Sequence, residues 1–207
     1  MASNPAAHLR PIFAAACAAA CSSASIATVS AYDHLIAASS TPAASNVELA
    51  EYVTLATGST TLDSARFRLS YATPGAFSGT LVLSFYSDAA GTPGSLLGSY
   101  AQPVVVASTA TVATFAGLGL SVPGSLWVST QFVSTSSLAG VRLTLAAPTV
   151  GSVATTRATR AGGTGVWTTT PGVDRWMEMS LTAIPTPGAA SLLLLGTTIA
   201  ARRRRGR

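Results

Sequence analysis

Lysine is absent from this 207-residue chain, cysteine and histidine occur twice each, and charged residues make up only 9% of it. Without lysine there is no Schiff-base nucleophile and no P-loop cation. Cys17, Cys21 and His8 all lie near the N-terminus. If that end is a removed leader, the remaining chain has no thiol, no disulfide and no His pair for zinc. His34 is then the sole imidazole. It sits close to an expected new terminus, and a Ser-His-Asp triad needs a rigidly held base. Acidic residues are also few, 7 against 12 arginines, for a formal charge of +5. That excess belongs to the ends: Arg10 on one side, Arg202, Arg203, Arg204, Arg205 and Arg207 on the other. Between Tyr32 and Ile184 six arginines face seven acids, a net of −1, which excludes a basic groove for nucleic acid. Gly and Pro number 18 and 11, too few for a low-complexity chain. The length fits one domain with a sizeable core.

What is present at the N-terminus reads as an export signal over residues 1–31. His8 and Arg10 precede Pro11-Ile12-Phe13 and an alanine-rich stretch through Ala20. Val29-Ser30-Ala31 offers small residues for cleavage after Ala31, before Tyr32, with Ala27 as a second candidate. Ala18-Ala19-Ala20-Cys21 is a degenerate lipoprotein-type box that lacks the large aliphatic residue expected before the cysteine. Residues 32–46 read as a linker.

The C-terminus has three parts. Pro185-Thr186-Pro187-Gly188 is followed by a largely apolar run with Leu192, Leu193, Leu194, Leu195 and Ile199. Arg202, Arg203, Arg204 and Arg205 then close the chain with Gly206 and Arg207. The run from Gly188 to Ala201 is short beside the ~20 residues of a free-standing span. The arginine cluster would remain cytoplasmic and leave the preceding domain outside. An ordinary single-span anchor with a stop-transfer cluster has the same appearance. The order of proline motif, apolar segment and arginine end resembles the PEP-CTERM sorting signal of Gram-negative bacteria. Thr186 stands where the commonest form has Glu, and the Pro-Thr-Pro-Gly string resembles the planctomycete-type variant. The resemblance covers about the last two dozen residues. It implies recognition by an exosortase-type membrane protease, which cuts near the proline motif and passes the protein to the cell surface, after transient or permanent residence in the inner membrane.

Residues 47–184 show short runs with period-two alternation. Leu81, Leu83 and Phe85 share one face, as do Leu126, Val128, Thr130 and Phe132. Met177, Met179, Leu181 and Ala183 point one way, Trp176, Glu178 and Ser180 the other. Alternation of this kind marks strands with one face buried. Turn signals at Thr73-Pro74-Gly75, Asp88 to Gly94, Val122-Pro123-Gly124, Gly162-Gly163 and Pro171-Gly172 separate them. Seven to nine such strands predict an all-β, antiparallel β-sandwich of jelly-roll type, flanked by an N-terminal signal helix and a C-terminal hydrophobic helix. Leu69, Leu83, Phe85, Val128, Phe132, Leu143, Met179 and Leu181 are its expected core.

Candidate chemistry is sparse. Asp174 and Glu178 are four apart, about 13 Å along a strand, too far for a glycosidase pair. With Trp176 between them they could instead contact a glycan, by stacking and flanking acceptors, or Trp176 could simply cover a sheet. Asp88, joined in space by Asp63 and Asp174, would be a calcium site short of carboxylates. No cofactor and no catalytic residue is expected. The expected protein is an exported structural or adhesive component of the cell envelope or extracellular matrix. The alternative is a carbohydrate-binding module acting on matrix polysaccharide, which would need an exposed coplanar set among Trp127, Trp167 and Trp176.

Overall fold

The computed structural model describes residues 27–35, 41–42, 46–71, 76–107, 110–134 and 139–185. These form strands β1 (Val29–Asp33), β2 (Thr41–Pro42), β3 (Val47–Thr54), β4 (Thr60–Tyr71), β5 (Ala76–Asp88), β6 (Pro93–Ala107) and β7 (Thr111–Val122). The remainder are β8 (Ser125–Val133), β9 (Ala139–Thr144), β10 (Ser152–Ala161), β11 (Thr168–Thr170), β12 (Trp176–Met177) and β13 (Met179–Ile184). No helix occurs among the described residues, and none there is long and apolar enough to cross a membrane.

Two antiparallel sheets face each other as an all-β sandwich. One runs β11-β10-β3-β8-β5-β6. The other runs β1-β13-β4-β9-β12, with β7 also paired to β4 and β2 to β9. Inward residues from both fill one core: Leu62, Phe67, Leu69, Met179 and Leu181 from one sheet, Leu81, Leu83, Phe85, Val128 and Phe132 from the other. Seven of the eight expected core residues are buried, and the eighth, Leu143, is partly buried against the same cluster. Close packing fixes the backbone at two glycines. A Cβ on Gly79 would lie 2.5 Å from the Phe132 ring, and one on Gly151, at φ +75°, 2.6 Å from the Thr54 carbonyl oxygen.

Two expectations at the N-terminal end are corrected. Residues 29–31 are not part of a helix but the start of β1, paired antiparallel to β13 with Val29 opposite Ala183 and Tyr32 opposite Leu181. The linker expected over 32–46 begins inside the fold: Tyr32 and His34 are fully buried. The physical reason is that β13 would otherwise expose its edge next to the core, and Val29-Ser30-Ala31-Tyr32 has the small and aromatic residues to cover it. The remainder of the expected signal helix and the C-terminal hydrophobic helix lie outside the described residues.

Candidate functional site

The chain contains three glutamates, Glu48, Glu51 and Glu178, and all three are buried with arginine partners. Each position follows from strand register.

Glu51 is on the inward register of β3, between Leu49 and Val53, and opposite both Val128 of β8 and Arg157 of β10. Its carboxylate accepts the Met177 backbone N–H at 2.8 and 2.9 Å and the Arg157 Nη2 at 3.2 Å. The same Arg157 nitrogen also donates to the Arg175 carbonyl oxygen. Burial pushes the Glu51 carboxyl up to about 7, against the opposing pull of Arg157 and the Met177 N–H. The buried Tyr32 hydroxyl has no hydrogen-bond partner among the described residues, and burial together with Glu51 and Asp33 drives its ionisation well above the ordinary tyrosine range.

Glu48 lies on the opposite face of β3, with Ala50 and Tyr52. It accepts Ser129 Oγ at 2.6 Å, Tyr86 OH at 3.0 Å and Arg160 Nε at 2.7 Å. Arg160 also donates to Tyr86 OH, and its guanidinium stacks on Trp167 with its carbon 4.4 Å from the ring centroid. Around it Ala50, Tyr86, Trp127 and Ala158 form a second small cluster, against which Tyr52 and Trp167 pack. Trp127 is closed off further by its Nε1–H, which donates to Asp88 at 2.8 Å.

Glu178 marks the break between β12 and β13. Its N–H donates to the Arg142 carbonyl and its carbonyl accepts from the Arg68 N–H, so the chain here bridges from β9 to β4. Arg68 Nη1 lies 3.3 Å and Arg142 Nε 3.7 Å from its carboxylate.

The sequence alternation placed Met177, Met179, Leu181 and Ala183 inward, and they are fully buried. It also predicted an open face carrying Asp174, Trp176 and Glu178, and this is corrected. Two arginines cover Glu178 completely, Trp176 is half-buried with its Nε1–H donating to Ala154 O at 3.1 Å, and only Asp174 is exposed. Nor do the tryptophans form a coplanar exposed set: Trp127 is 1% exposed, and Trp167 meets the Tyr86 ring edge-on at 79°. His34 is likewise held, contrary to the expected tail: its ring nitrogens face the carbonyl oxygens of Met177 at 2.9 Å and Ala146 at 2.6 Å. Among the described residues no group of three or more His, Cys, Asp and Glu could hold a metal ion.

Glu48 and Glu51 were not singled out from the sequence. The signal for Glu51 was there, a carboxylate in the apolar register Val47, Leu49, Val53. The signal for Glu48 was not, because Ser129, Tyr86 and Arg160 reach it only through folding. Ala31 and Pro185 are described residues, the first buried in β1 and the second just past β13. Thr186, Pro187, Gly188, Leu192 to Leu195, Ile199 and Arg202 to Arg205 lie outside the described residues.

These features define an antiparallel two-sheet β-sandwich whose three glutamates are each paired with arginines of neighbouring strands. No family model matches the chain, and no curated protein or solved structure matches it.

Proposed function

We propose that this is an exported, non-catalytic structural or adhesive β-sandwich of jelly-roll type, sorted to the cell envelope or extracellular matrix through its C-terminal segment. The observation that carries the reading is the tail itself: Pro185-Thr186-Pro187-Gly188, the Leu192–Leu195 run and Arg202–Arg205 in that order, resembling a PEP-CTERM signal. The partner it implies is an exosortase-type protease in the inner membrane. Two features of the domain support a structural role. The strands alternate repeatedly between the two sheets along the chain, which ties them together. The groups best suited to acid–base work, Glu48, Glu51, Glu178 and His34, all have their polar atoms turned to internal partners. Binding of matrix polysaccharide is the weaker reading, since its requirement for exposed coplanar tryptophans is not what Trp127, Trp167 and Trp176 provide.

Mass spectrometry of the protein recovered from the cell surface and the medium tests the proposal. The expected product ends near the proline motif and lacks Leu192 to Arg207. A surface form that retains Arg202–Arg205 would replace sorting with a plain membrane anchor.

A further inference from the structure

The geometry points to Ala27–Thr28 as the bond at which the leader is removed, leaving β1 as the first strand of the mature domain. This rests on the export reading above and deepens it. Among the bonds with small residues at −3 and −1, the two weighed from the sequence are Ala31–Tyr32, after Val29 and Ala31, and Ala27–Thr28, after Ser25 and Ala27. The sequence favoured the first, and the fold separates them.

Cleavage at either bond adds water across an amide, leaving a carboxylate on the leader and an ammonium on the new first residue. At Ala31–Tyr32 that ammonium would be the Tyr32 nitrogen, in a residue with 0% exposure opposite Leu181. Burying an unpaired ammonium is strongly unfavourable. The same cut would remove Ala31, whose carbonyl accepts the Ala56 N–H at 2.8 Å, and leave that donor without its partner. It would also take away the pairs Val29 with Ala183 and Ser30 with Thr182, uncovering part of the β13 edge. At Ala27–Thr28 none of this happens. Ala27 and Thr28 are both exposed and precede the first paired residue, so the new ammonium is solvated and every β1 contact is kept. Pairing of Val29 with Ala183 also sets the trimmed end beside the strand that leads into Pro185, so that the domain's two exits emerge together.

The test is intact-mass and N-terminal sequencing of the full chain recovered from the envelope of a Gram-negative host, alongside an Ala27→Leu variant. The expected wild-type terminus is Thr28, and the variant is expected to lose that terminus and accumulate precursor. A wild-type terminus at Tyr32 or any other internal residue, or normal Thr28 formation by the variant, overturns the cleavage assignment and leaves export standing. An intact leader on all of the recovered protein overturns the export reading itself.

Discussion

Glu51 sits between the two sheets with its carboxyl raised from 4.5 to about 7. The folded chain therefore holds that proton more tightly than the unfolded chain. The resulting contribution to stability is complete below pH 4.5 and is lost as the pH rises through about 7. A shift of this size corresponds to roughly 3 kcal/mol. Urea unfolding between pH 4.5 and 8 is expected to show stability falling across this window, and Glu51→Gln to flatten the fall; an unchanged slope in the variant would assign the effect elsewhere. Glu48 and Glu178, like Glu51, are buried against arginine side chains that are themselves largely covered. Removing one member of a buried ion pair leaves the other uncompensated, at a cost of about 3–5 kcal/mol. Glu48→Ala and Glu178→Ala are each expected to lower the unfolding midpoint markedly. Exposed Asp174→Ala is expected to change stability by less than about 0.5 kcal/mol. Equal effects at Asp174 and Glu178 would return Glu178 to the open face that the alternation suggested.

Strands with clean alternation, β5, β8 and β13, were legible because each has one apolar face against the opposite sheet. β3 was obscured by Glu51 in its apolar register. β10 reads Ser-Val-Ala-Thr-Thr-Arg-Ala-Thr-Arg-Ala and has no apolar period; pairing with β3 and β11 makes it a strand. β1 was hidden because its residues also fit a cleavage site. The polar contacts were less legible still, since Arg157 and Glu51 are 106 positions apart and only sheet register joins them. The pairing of β5 with β8 illustrates how packing then constrains single positions. A side chain on Gly79 meets both the Phe132 ring and, at 2.7 Å, the Val133 carbonyl oxygen, a backbone atom that cannot swing aside. Gly79→Ala is expected to cost about 1–3 kcal/mol by overpacking. Leu83→Asp, which places an unpaired charge in the core, should cost several kcal/mol or prevent folding. Thermal unfolding of the two variants checks the order; a neutral Gly79→Ala would mean that β5 and β8 separate more easily than this packing implies.

Across the whole molecule, charge is distributed very unevenly. No Asp, Glu, Lys or Arg occurs from Ala89 to Val141, a stretch that includes β6, β7 and β8. Elsewhere in the domain four of the six arginines are bound to the three glutamates. Residues 28–185 hold six arginines and seven acids, a formal charge of 6 − 7 = −1, although the entire chain has a pI of 9.9. The basicity is therefore a property of the two ends and, on the proposed processing, leaves with them. Strand pairing in the domain also stops at Ile184, opposite Thr61, so loss of everything beyond Pro185 breaks no described ladder. Isoelectric focusing of the surface protein is expected to give a point below 7, with thermal stability matching that of the precursor's domain. Replacing Pro185 and Pro187 by Ala removes two fixed φ angles and the extended bias on Thr186, which on the proposed sorting reading would present the backbone to a protease. That variant is expected to keep its arginines, stay basic and remain with the membrane. A wild-type surface protein that still focuses near 9.9 would show that the tail is kept as an anchor. An acidic product from the proline variant would show that processing does not depend on the motif.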